Sequence, residues 1–119
     1  MPELKTGTDL VPEARVDGAA VIASLKGEID LHNSPAVRTA LLDMLARHQP
    51  KKLVLNLAQV PYMDSSAIAV LVESLQKIRK SGGKIFLTDL QPRVKGLLEI
   101  ARLDAIFGIC KDEGEALAK

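Results

Sequence analysis

Apolar positions fall into two kinds of run along this chain. Near-continuous runs occur at Ala20-Val21-Ile22-Ala23-Ser24-Leu25, Leu53-Val54-Leu55-Asn56-Leu57 and Ile85-Phe86-Leu87. Each is short and rich in branched aliphatics, the pattern of strands inside a sheet. Between them, apolar residues recur every three or four positions. Val37, Leu41, Met44 and Leu45 form one such set, Ile68, Leu71, Val72, Leu75 and Ile78 a second, and Val94, Leu97, Leu98 and Ala101 a third. These are helix stripes.

The punctuation fits this alternation. Asp17-Gly18 reads as a hairpin turn. It joins the second strand to the weakly alternating residues 10–16, where Pro12 allows only an edge strand. Ser34 reads as an N-cap with Pro35 as the first helical residue, and that helix runs to His48. Pro50 precedes a strand at residues 51–57. Ser81-Gly82-Gly83 stops the second helix after Lys80. Pro92 opens the third helix. Residues 106–109 read as a short last strand and residues 112–118 as a terminal helix. Residues 1–9 are polar, carry Pro2 and Gly7, and read as a loose leader to a domain over residues 10–119.

Residues 51–88 are thus a strand–helix–strand unit, which requires parallel strands and a right-handed crossover. The hairpin is antiparallel. The expected fold is a single α/β domain with a mixed four- to five-stranded sheet and three to four helices. The loop carrying Asp30, the turn at Asp64-Ser65-Ser66 and residues 88–91 all leave carboxyl ends of strands, where clefts form in such sheets.

The turn Tyr62-Met63-Asp64-Ser65-Ser66-Ala67-Ile68 is the chief functional candidate. Asp64 is a suitable N-cap, with Ser65 and Ser66 in the first turn. Measured against the stripe of Ile68, Leu71, Val72, Leu75 and Ile78, Ser66 falls opposite the apolar face and Ser65 on its flank. Ser66 is therefore expected to be the more accessible hydroxyl, on the side of Glu73 and Lys77. A phosphate there meets the positive end of the helix dipole and adds about two negative charges to the surface. The plainer alternative is an ordinary helix start. Met63 and Ile68 flank the serines as apolar contacts for a partner, although Met63 suits a core equally well.

Composition narrows the function. The chain has 119 residues, 47% apolar, only 3% aromatic, with no Trp. Its core is aliphatic, and stacking on nucleobases is poorly provided for. A net charge of +1 with interspersed signs argues against a nucleic-acid or anionic-membrane surface. The lone Cys110 excludes an internal disulfide and reads as a small buried residue. No apolar run approaches the roughly 20 residues of a membrane span, and no signal pattern is present, so a cytoplasmic location is expected. Glu28, Asp30, His32 and Asn33 include metal-ligand types, but too few for a closed site, and a polar loop leading to a helix cap explains them. No cofactor is expected. Nucleophile-elbow, Walker and dinucleotide-binding signatures are absent, as is a serine with an evident histidine base. Asp30, Asp64 and Lys84 do not stand in the order a phosphoaspartate receiver requires. No enzyme activity is expected.

Gly27-Glu28-Ile29-Asp30 after a strand, then Leu53-Val54-Leu55-Asn56-Leu57, then Met63-Asp64-Ser65-Ser66 followed by Ala67-Ile68-Ala69-Val70-Leu71-Val72, resemble STAS domains in this order and spacing. Within them the chain resembles the anti-sigma-factor antagonists, over residues 12–118. The resemblance implies that Ser66 is the phosphoacceptor, that Asp30 lies near it, and that Asp30 and residues 63–68 meet a partner. Ala67 stands where the family usually has glycine. The implied partners are a serine-kinase anti-sigma factor, held by the unphosphorylated form so that a sigma factor is freed, and a phosphatase. The free chain is expected to be a monomer. The second reading is a STAS subunit of a membrane assembly, such as a lipid-transport ABC system or a signalling complex, docked on an ATPase or scaffold without a phosphoswitch.

Overall fold

The computed structural model describes residues 3–119. Ten short elements follow one another: β1 (Glu13–Asp17), β2 (Ala20–Lys26), α1 (Ser34–His48), β3 (Lys52–Gln59), α2 (Ser65–Lys80), β4 (Lys84–Thr88), α3 (Pro92–Ile100), a 3-10 turn (Leu103–Ala105), β5 (Gly108–Cys110) and α4 (Glu113–Ala118). The five strands form one sheet in sequence order. β1 pairs antiparallel with β2, and the remaining neighbours are parallel. The mixed α/β fold read from the sequence is the fold observed.

Register decides which side chains share a layer. Val21, Leu53 and Ile85 stand abreast, as do Ala23, Leu55 and Leu87. Both rows join the buried residues of α1, α2 and α3 in the larger core. The alternate row Ile22, Val54 and Phe86 points to the other face and forms a second core with Cys110 and Ala116 of α4. Buried on both faces, β2, β3 and β4 need apolar residues at successive positions, which accounts for their continuous runs.

Several boundaries differ from the sequence reading. β1 begins at Glu13 rather than at residue 10, directly after Pro12. β3 continues to Gln59, and the last strand is displaced to Gly108–Cys110. Ser34 is not the cap of α1 but its first helical residue, and Asn33 takes the cap position without a side-chain cap bond. The Asn33 side chain is engaged elsewhere, accepting from the Asp30 N–H and donating to the Glu28 carbonyl. In α3 only Val94 and Leu98 are fully buried, and Ala101 is exposed as the C-cap residue. Residues 3–9, read as a leader, make contacts with the domain. The Leu4 N–H donates to the Ala14 carbonyl at 2.7 Å, the Thr6 hydroxyl to that of Val11 at 2.6 Å, and Leu4 and Leu10 pack on the core. Met1 and Pro2 lie outside the described residues.

Candidate functional site

The site is built where β2 and β3 run out. Beyond Gly27, whose φ of 90° is easily met only by glycine, the chain turns yet stays paired with the segment after β3. The Gly27 N–H donates to the Gln59 carbonyl, Ile29 N–H to Tyr62, and Asp64 N–H to Ile29. Ile29 and Met63 thus form an isolated parallel bridge. Both side chains are only 1% exposed, so the two loops are anchored from below.

Asp64 closes the site. Its Oδ1 accepts from the Ser66 N–H at 2.9 Å, the Ala67 N–H at 3.2 Å and the Ser66 hydroxyl at 2.6 Å. Its Oδ2 accepts from the Leu31 N–H at 3.0 Å. The expected N-cap is therefore present, and it also bridges to the neighbouring loop. The bond from the Ser66 hydroxyl, with further backbone N–H groups, outweighs desolvation and holds the Asp64 carboxyl below its ordinary value of 3.8. The donating Ser66 hydroxyl is oriented, with its oxygen lone pairs turned away from Asp64.

Asp30 lies on the loop stitched to Asp64, but its own carboxylate is used locally. Its Oδ1 accepts from the His32 and Asn33 N–H groups at 2.9 and 3.2 Å. The Asp30 carbonyl accepts from the Ser34 N–H at 2.8 Å, carrying the loop into α1. The side chains of Asp30 and Asn33 are engaged in these bonds, and His32 and Glu28 take part through their backbone. Among the described residues no three His, Cys, Asp or Glu side chains cluster as metal ligands.

The order of accessibility is the reverse of that expected from the helix wheel. Ser65 is exposed and Ser66 half-buried. The buried face of α2 consists of Ala67, Val70, Leu71, Ser74, Leu75 and Ile78, whereas Ile68 and Val72 are only half-buried. Small Ala67 and Ser74 lie within this buried face, while Ile68 and Val72 are turned toward its edge and Ser66 falls on the flank. Met63 and Ala67 are buried in the folded chain, and Ile68 is partly accessible. Glu73 is not free on the Ser66 side, because Arg38 of α1 holds it through two 2.7 Å bonds.

The third loop also reaches this end. Asp89 adopts φ 57°, and the Gln91 side-chain amide donates to the Ala58 carbonyl at 2.8 Å. The Arg93 guanidinium lies 4.9 Å from the centre of the Tyr62 ring. The sequence pattern did not single out Leu31 or Arg93, and it placed Tyr62 only as the first residue of the candidate turn. Leu31 alone left a signal, as an isolated apolar residue within a polar loop. Cys110 is buried, and desolvation pushes its thiol up from 9.0, as befits an unreactive packing residue.

The fold that carries this site is shared with known proteins. The STAS domain family model matches residues 11–116, and the chain belongs to that family. An anti-sigma F factor antagonist of Paenibacillus polymyxa is 33% identical over 83% of this chain and 85% of its own length. An anti-sigma-B factor antagonist of Bacillus subtilis is 34% identical over 76% of this chain and 83% of its own length. The crystal structure of an anti-sigma factor antagonist from Mycobacterium paratuberculosis superposes with a TM-score of 0.80 at 24% identity, covering 88% of each chain, and establishes likeness of fold.

Proposed function

We propose that this chain is an anti-sigma-factor antagonist switched by phosphorylation of Ser66, a binding protein rather than an enzyme, acting in the cytoplasm. The unphosphorylated form binds a serine-kinase anti-sigma factor and frees a sigma factor. The kinase phosphorylates Ser66 and a phosphatase resets it. The relatives' names support the general role. The observation that carries the switch is the 2.6 Å bond from the Ser66 hydroxyl to Asp64.

A phosphoryl group on Ser66 replaces that donated proton. It sets about two negative charges beside a carboxylate that is already ionised. The bond to Asp64 is then lost and the two groups repel, while the helix N-terminus stabilises the new charge. The fold tolerates the modification, and the surface formed by the Asp30 loop, Asp64, Ser65, Ser66 and Ile68 changes in charge and shape. Ala67 does not obstruct this surface. Its methyl group is buried beneath the helix, so the departure from the family's usual glycine falls on the core side.

The test is capture from the native organism's lysate with wild type, Ser66→Ala and Ser66→Asp as baits, read by mass spectrometry. The expected result is a serine-kinase anti-sigma factor held by wild type and Ser66→Ala, lost by Ser66→Asp, with phosphate found on Ser66. A transporter ATPase or scaffold held equally by all three, with Ser66 unmodified, would replace this reading by the membrane-assembly one.

A further inference from the structure

We infer that Leu31 is the apolar anchor of the partner interface, held in place by the same Asp64 carboxylate that holds the Ser66 hydroxyl. The inference rests on the proposed antagonist function and names the surface chemistry of its partner. Leu31 is 75% exposed, on a loop otherwise polar except for buried Ile29. A single exposed leucine needs no explanation by itself. This one is distinguished by how firmly its backbone is fixed and by what fixes it.

Its N–H donates to Asp64 Oδ2 at 3.0 Å, while Oδ1 of the same group receives the Ser66 hydroxyl at 2.6 Å. Its neighbours are tied down on both sides. The Asp30 N–H donates to Asn33 Oδ1 at 2.8 Å, and the Asn33 amide to the Glu28 carbonyl at 2.9 Å. The Leu31 side chain is thus presented on a preorganised loop, and little backbone order remains to be lost when a partner closes over it.

The surroundings define the partner's counter-surface. Glu28 is exposed and Asp30 partly so, and Asp64 is ionised beside them. The complementary patch is an apolar pocket rimmed by Lys or Arg. Because Asp64 touches both groups, a phosphate that repels Asp64 also loosens the Leu31 N–H bond. The switch therefore withdraws the anchor as well as adding charge.

The test is titration calorimetry of the full-length chain against the purified anti-sigma factor that co-purifies with wild type. Leu31→Ala is expected to weaken binding roughly tenfold or more, because the truncated side chain no longer fills the partner's apolar pocket, and Leu31→Asp further. Both variants should melt with wild type. Ile100→Ala, which removes an equally exposed aliphatic on α3, is the control and should bind as wild type. Wild-type affinity in Leu31→Ala, or an equal loss in Ile100→Ala, overturns the assignment of Leu31 and leaves the antagonist function standing. If wild type binds no anti-sigma factor, the antagonist reading itself fails and the anchor falls with it.

Discussion

At the scale of single residues, Asp64 is the hinge of the site because one carboxylate serves the helix cap, the Ser66 hydroxyl and the Leu31 backbone. Its folded-state pKa lies below the ordinary 3.8, so it binds its proton more weakly folded than unfolded. The stability it contributes is fully present above that ordinary value and is lost as pH falls through the depressed one. Asp64→Asn removes this titration. Melting temperatures of wild type and Asp64→Asn, followed from about pH 6 to about pH 2, should converge at the acid end and separate at the neutral end. Parallel curves would show that the cap contributes nothing through its charge. The cap was legible because Asp-Ser-Ser before an apolar stripe has a local cause. Its second bond, to Leu31, was not, since the two residues are 33 positions apart.

At the scale of elements, α4 shows how a segment too short to be stable alone is held. Six residues cannot sustain a helix in water. The Asp112 side chain caps it, accepting from the Glu115 N–H at 2.9 Å, and the buried Ala116 anchors it in the second core. Glu113 reaches Arg15 of β1 at 2.6 Å and Asn56 of β3 at 2.7 Å. Burial alone would raise the Glu113 carboxyl, but these two partners outweigh it and hold the group below 4.5. The Lys52 ammonium donates to the carbonyls of Ala116 and Leu117 at the other end. We expect Glu113→Ala to cost about 1–2 kcal/mol, since the pair remains partly solvated. Denaturant titration measures the loss, and hydrogen exchange should show α4 opening before the sheet.

The same scale explains the reversed order of the two serines. A wheel drawn from large apolar residues puts Ile68 and Val72 inside. The buried face instead runs through Ala67, Val70, Leu71, Ser74, Leu75 and Ile78, and Ser74 satisfies its hydroxyl on the Val70 carbonyl at 2.9 Å. Small residues carry little weight in a hydrophobic pattern, yet here two of them lie within the buried face.

At the scale of the whole molecule, the proposed switch would change the surface of a constant body. The chain carries a net charge of +1, and a phosphate of about two negative charges takes it to about −1. Phosphorylated and unphosphorylated forms should therefore separate on ion exchange. Small-angle scattering should give both forms the same radius of gyration, somewhat above the 12.7 Å of the Cα atoms alone. A larger radius in either form would mean that modification acts through unfolding or self-association. No helix among the described residues is long and apolar enough to cross a membrane.

The sequence by itself determined the kinds of element, their order, the mixed sheet and the helix start at Asp64. Each of these follows from local periodicity, turn residues and the handedness of a parallel crossover. Only the tertiary structure decided which side of α2 is buried, that Ser65 rather than Ser66 is the more exposed, that Met63 is core, and that Leu31 stands beside Ser66 on a shared carboxylate. Those features depend on side chains meeting across elements, and a linear pattern records which residues are apolar but not which of them find each other.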